Sequence, residues 1–150
     1  MRSSPAVLAA LLCAGLAAAA EPPAPAPLDA DAFARIKSLA GTWEGTAGAG
    51  TESFPARVSY EVVSNGQAVL ERMFAGTPHE MLNVYYLDRG ALVAVHYCSA
   101  GNQPRFKYQA STSNATELAF DFAGGDNVEP GRDAHVHAGR LFVADASRLE

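Results

Sequence analysis

Residues 54–74 read FPARVSYEVVSNGQAVLERMF. Phe54, Val58, Tyr60 and Val62 alternate with Arg57, Ser59 and Glu61, the period-two pattern of a strand buried on one face. Asn65-Gly66 follows, a dipeptide that accepts the positive φ angles of a hairpin turn. Ala68 to Phe74 then returns as a second strand, with adjacent Glu71 and Arg72 on opposite faces.

The same grammar continues in both directions. Towards the C-terminus, Gly76-Thr77-Pro78 turns, Met81 to Leu87 is a strand, Asp88-Arg89-Gly90 turns tightly, and Leu92 to Cys98 is a nearly continuous apolar strand. Gly101-Asn102-Gln103-Pro104 interrupts. Phe106, Tyr108 and Ala110 alternate with Lys107 and Gln109, Ser113-Asn114 turns, and Leu118, Phe120 and Phe122 alternate with Glu117, Ala119 and Asp121. An acidic, glycine-rich loop covers 124–133, and Ala134 to Ala144 reads as the last full strand. Towards the N-terminus, Thr42 to Thr46 is a first short strand. It follows the one helix candidate, Asp29 to Ala40, where Phe33, Ile36 and Leu39 recur at helical spacing, Asp29 or Asp31 caps and Gly41 stops. About eight strands with no helix between them exclude parallel crossovers. The expected fold is all-β, an antiparallel up-and-down barrel with one short N-terminal helix. Ser147 to Glu150 reads as the start of one more strand, so the barrel is expected to be incomplete at the C-terminus.

The chain has 150 residues, 49% of them apolar and 18% charged, a globular composition. Sixteen acidic against eleven basic residues give a net charge of −5, which argues against a nucleic-acid partner. Residues 1–20 have the build of a secretory signal peptide: Arg2, an apolar Ala/Leu run from Ala6, and Ala18-Ala19-Ala20 before Glu21. That run is too short to span a membrane, and no transmembrane segment is expected elsewhere. The expected location is outside the cytoplasm, in a bacterial periplasm. Residues 21–28 form a Pro/Ala-rich linker, stiff and solvated, and 29–150 the folded domain. Cys13 leaves with the signal, so the exported chain keeps Cys98 alone and forms no internal disulfide. A lone thiol in an oxidising compartment is expected to be buried and unreactive.

Gly41-Thr42-Trp43, placed after a short helix and opening the first strand, resembles the Gly-x-Trp signature of the lipocalin-like, calycin-type barrels. Further pieces resemble a family of uncharacterised exported bacterial proteins of lipocalin-like type, a domain of unknown function. They are Gly41-Thr42-Trp43-Glu44-Gly45, Thr77-Pro78-His79-Glu80-Met81, His96-Tyr97-Cys98, Gly101-Asn102-Gln103-Pro104-Arg105 and His135-Val136-His137. The resemblance implies a barrel whose closed end is plugged by Trp43 and covered by the helix. It also implies a further terminal hairpin, which this chain lacks, and it brings no established activity.

The candidate chemistry lies in the histidines. His135 and His137 are two apart on the expected last strand, so they share a face with Leu141 and Val143. His96 and Cys98 are two apart on an earlier strand. If both pairs face the lumen, three imidazoles and a thiolate converge, a donor set that suits zinc, copper or haem. Set against this, the same residues serve equally as hydrogen-bonded polar groups in a barrel, with Cys98 as a small hydrophobe. His96 and Cys98 stand about 7 Å apart along a strand, too far for direct activation of the thiol. No nucleophile elbow, phosphate loop or zinc-protease motif is present, so no catalytic residue is assigned. Arg105, on a loop at the barrel mouth, could hold a carboxylate. Asp126, Glu129 and Asp133 could bind calcium, without the spacing of an EF-hand.

The leading expectation is periplasmic binding of a small hydrophobic or amphipathic molecule, with Trp43, Tyr60, His96, Arg105, Tyr108, His135 and His137 around it. Barrels of about eight strands are just wide enough for one small ligand. This reading requires no cofactor. The alternatives are a metal- or haem-binding protein using His96, His135 and His137, and a structural or interaction domain with a filled core.

Overall fold

The structure, a computed structural model, describes residues 27–49, 51–114, 116–145 and 148–149. The expected signal peptide, 1–20, and residues 21–26 of the expected linker lie outside the described residues. One helix, α1 (Pro27–Lys37), precedes nine strands: β1 (Gly41–Ala49), β2 (Glu52–Val63), β3 (Ala68–Met73), β4 (Met81–Asp88), β5 (Ala91–Tyr97), β6 (Gln103–Tyr108), β7 (Glu117–Asp126), β8 (Ala138–Asp145) and the two-residue β9 (Arg148–Leu149). Each strand pairs antiparallel with the next, so spatial order equals chain order. The sheet curls into a half-barrel with α1 against it. The all-β, up-and-down reading therefore holds. The barrel does not close: among the described residues, β1 pairs only with β2, and β9 only with β8.

The turns follow from residue chemistry. Asp88 pairs with Ala91, which leaves Arg89 and Gly90 as a two-residue turn. Both have positive φ, 49° and 92°, the type I′ geometry whose twist matches the flanking strands. The Asn65-Gly66 turn is wider: Val63 pairs with Ala68, and residues 64–67 form the loop with Asn65 at φ 53°.

Of the boundaries that differ from the sequence reading, three have a visible cause. The helix starts at Pro27, which suits a first helical position, and Asp29 does not cap it. Asp29 Oδ1 instead accepts the Leu92 backbone N–H at 2.8 Å and ties the helix to β5. Pro104 does not break the chain but lies inside β6, at a bulge in the β6–β7 pairing, a position where a missing N–H is tolerated. The partner strand accommodates the bulge with Gly125, at φ 157°. A Cβ on Gly125 would lie 2.5 Å from the Gln103 carbonyl oxygen and 2.7 Å from Pro104 Cα. Both contacts are backbone and cannot swing away, so Gly125→Ala should destabilise the domain by about 2 kcal/mol in urea unfolding. Thirdly, β8 begins at Ala138 rather than Ala134. The Ala134 and Asp133 carbonyls are taken by the side chains of Asn102 (2.9 Å) and His135 (2.8 Å) instead of by a neighbouring strand.

The core lies on the concave face under the helix. Ala32, Phe33, Ile36 and Leu39 pack with Val69, Tyr85, Leu92, Ala94, Phe106, Leu118 and Phe120. Trp43 is half-buried beside this cluster, and its Nε1 donates to the Leu39 carbonyl at 2.8 Å, which pins the helix exit to β1.

Candidate functional site

Strand register places Tyr60 opposite Glu71, Glu71 opposite Asn83, and Asn83 opposite His96. Side chains directly opposite on neighbouring strands share a face. These four therefore form one polar row across β2, β3, β4 and β5 on the concave face. Glu71, only 7% exposed, is its centre. Its Oε1 accepts Tyr60 OH at 2.7 Å, and its Oε2 accepts Tyr85 OH and Asn83 Nδ2, each at 2.6 Å. Burial, reinforced by the neighbouring Glu71 carboxylate, holds both phenols well above their ordinary pKa, so they remain donors. Three donors thus solvate a buried carboxylate that has no cationic partner among the described residues.

The row has a direction. Asn83 donates through Nδ2 to Glu71, which leaves Oδ1 to face His96 Nδ1 at 2.7 Å. Because an amide oxygen only accepts, the His96 proton sits on Nδ1. Burial lowers the His96 pKa below its usual value, with Glu71 opposing, which favours the neutral ring. Nε2 is then a bare acceptor. It is buried and has no hydrogen-bond partner among the described residues.

The depressed His96 pKa carries a pH signature. The unfolded chain binds the proton more readily than the native one, so stability rises with pH in the window between the two pKa values. His96 is thus expected to contribute fully above about pH 6.5, with stability lost on acidification below it, by at most about 1.4 kcal/mol per pH unit. Subtracting the urea-unfolding profile of His96→Gln from that of the natural chain should isolate this slope. Equal slopes for both proteins would show that His96 titrates alike folded and unfolded.

His96 borders a cavity of about 310 Å³. Glu71, Asn83 and Tyr85 line it on one side, and Arg140, which pairs with Glu117, lines it on the other. Met73, Met81, Phe106 and Phe120 supply apolar walls, and Val136, Gly139 and Leu141 border it from β8 and the loop before it. A second, wider hollow of about 690 Å³ shares Glu71, Met73 and Leu141 and runs past Tyr60, Trp43, Val58 and Phe74.

The sequence-predicted residues divide accordingly. Tyr60 and His96 belong to the polar row, and Trp43 lines the wider hollow. Tyr108 packs on Phe120 with ring centroids 5.7 Å apart. Arg105 is exposed on β6, and its neighbours Pro104 and Phe106 are the buried ones, so it lines neither cavity. His135 and His137 do share a face, but in the loop before β8. Both pack on the Phe122 ring, with centroids 4.5 and 5.4 Å away. His135 Nδ1 bonds the Asp133 carbonyl, and its Nε2 lies 3.3 Å from His137 Nδ1, so the two rings bond each other. Neither histidine lines either cavity. The expected convergence of His96, Cys98, His135 and His137 does not occur: among the described residues no three of His, Cys, Asp or Glu are grouped to hold a metal. Cys98 is half-buried at the β5–β6 turn rather than fully buried. The acidic loop is laced internally, with Arg132 paired to Glu129 and Asp133. Glu80, in the expected mouth loop, accepts from Arg72 and from the Gly76 N–H, a turn-forming role.

Sequence reasoning passed over Glu71, Asn83 and Tyr85. A signal existed for the first: Val69, Glu71 and Met73 share the core-facing register of β3, where a carboxylate needs an explanation. Among the described residues no helix is long and apolar enough to cross a membrane. Compared with protein-family models, curated proteins and solved structures, the chain matches none of them.

Proposed function

We propose that the half-barrel binds a small apolar or amphipathic molecule in the cavity beside His96, after export to the periplasm. The observation that carries this reading is a mostly apolar cavity bordered on one side by the polar row of Glu71, Asn83 and His96. Apolar walls with a few placed polar groups are the usual build of a small-molecule site. The hollows of about 310 and 690 Å³ speak against a filled core. The resemblance of Gly41-Thr42-Trp43 and its flanking helix to lipocalin-like proteins points the same way.

Gly139 supplies the test. It lines the cavity opposite Phe120, and a Cβ there would meet nothing within 4 Å. Gly139→Leu should fill the cavity without steric strain. Titration with the neutral fluorophore N-phenyl-1-naphthylamine is expected to show saturable binding to the natural chain. Affinity should be roughly ten-fold lower for Gly139→Leu, with an unchanged melting temperature. Equal affinity for both proteins would place the probe elsewhere and remove the proposal.

A further inference from the structure

The two histidines that stand away from the cavities form a pair of their own. We propose that His135 Nε2 and His137 Nδ1 chelate a divalent transition-metal ion, with zinc the best geometric fit, in the loop before β8.

The protons set the donor atoms. A backbone carbonyl only accepts, so the His135 ring, 2.8 Å from the Asp133 oxygen, carries its proton on Nδ1. His135 Nε2 therefore keeps a bare lone pair. His137 Nδ1 lies 3.3 Å from it, so the one proton between the two rings belongs to His137. A metal ion takes the place of that proton, which moves to His137 Nε2, and both imidazoles stay neutral, the form that binds metals. A carbonyl on the far nitrogen of a ligating histidine is the usual support of such a ligand, because it fixes tautomer and ring orientation.

The spacing suits the exchange. Zinc holds imidazole nitrogens at about 2.0–2.1 Å in a tetrahedron, so two of them stand about 3.3–3.4 Å apart. The two nitrogens already stand 3.3 Å apart. The ion sits to one side of the line joining them, so each lone pair swings off that line by about 35°, which the broad χ2 well of histidine permits. Both rings pack on Phe122, His137 stacked at 24° to it and His135 tilted at 43°. Rings held together in advance lose little freedom when an ion joins them. His137 is exposed and His135 half-buried, which leaves room for water to complete the coordination. Among the described residues no third His, Cys, Asp or Glu joins them, so the site is open and exchangeable rather than a closed structural one. The loop before it carries Asp126, Glu129 and Asp133 against Arg132, a balance that draws cations.

Isothermal titration of the untagged chain with zinc chloride at pH 7.5 tests the site. One zinc ion per chain is expected. Binding should weaken by roughly ten-fold or more in His135→Ala and in His137→Ala, and stay unchanged in His79→Ala. Calcium and magnesium, which prefer oxygen ligands, should not displace the zinc. Nitrogen-detected NMR of the natural chain reads the atoms directly. Zinc should shift His135 Nε2 and His137 Nδ1, leave the proton on His135 Nδ1 and move that of His137 to Nε2. If no zinc binds, if both alanine variants bind it as tightly as the natural chain, or if the shifts fall on His79 or His96 in place of the pair, the site is overturned. None of these results bears on the cavity reading.

Discussion

Replacing Glu71 with leucine is expected to destabilise the domain by about 3 kcal/mol, seen as a melting temperature about 10 °C lower. Three buried donors end on this carboxylate: Tyr60 OH, Tyr85 OH and Asn83 Nδ2. Leucine removes all three acceptor contacts at once. Each orphaned donor carries a penalty of about 1–3 kcal/mol. The total falls at the low end because Glu71 borders both cavities, where water can reach some of the freed groups. Glu71→Gln should be intermediate, since its amide nitrogen would confront donors where the second carboxylate oxygen accepted. Tyr60→Phe, which removes one hydrogen bond and leaves two, should cost about 1 kcal/mol. Adding Tyr60→Phe and Tyr85→Phe to Glu71→Leu should recover part of the loss, because donors and acceptor then disappear together. A Glu71→Leu protein melting within about 2 °C of the natural one would mean that the row contributes no net stability.

Ile36→Ala is expected to have an effect of similar size, about 2–4 kcal/mol in urea unfolding. Ile36 is 0% exposed and sits where α1 meets the curled sheet, in one cluster with Phe33, Leu39, Val69 and Leu92. An open sheet has fewer neighbours to collapse into a void than a closed barrel, so the cavity term should persist. Leu28→Ala on the same helix is the control. Leu28 is 62% exposed, and the change should stay within about 0.5 kcal/mol. Trp43 is the only tryptophan and donates to Leu39 at the helix exit, so its fluorescence reports the unfolding of this contact. If Ile36→Ala and Leu28→Ala lose equal stability, the helix does not seal the concave face.

Much of this architecture was legible in the chain. Period-two alternation in 54–62, 106–108 and 117–122 marked strands, because a half-buried sheet needs apolar side chains on one face only, whereas Ala110, read as continuing the alternation, falls in a 3-10 turn over Ala110–Thr112. The Asn65-Gly66 and Arg89-Gly90 turns were legible because few residue types accept positive φ. The pairing of neighbours in chain order followed from the short connections. The polar site was far less visible. The sequence put Glu71 on the face of Val69 and Met73, yet nothing local names its partners. Tyr60, Asn83 and Tyr85 reach it from two other strands, His96 joins through Asn83 from a third, and a shift of one residue in any pairing would turn a side chain to the other face.

By itself, then, the sequence determined the antiparallel meander, the short helix before it and the buried faces of β6 and β7, though not that of β2, where Phe54 and Val62 stand exposed. These depend on contacts between near neighbours in the chain. Only the tertiary structure decided that the sheet stays open among the described residues, that His135 and His137 stack on Phe122 away from His96, and that Tyr60, Glu71, Asn83 and His96 line up as one row. Those outcomes depend on the register summed over successive hairpins and on the curl of the whole sheet, quantities that no single stretch of residues encodes.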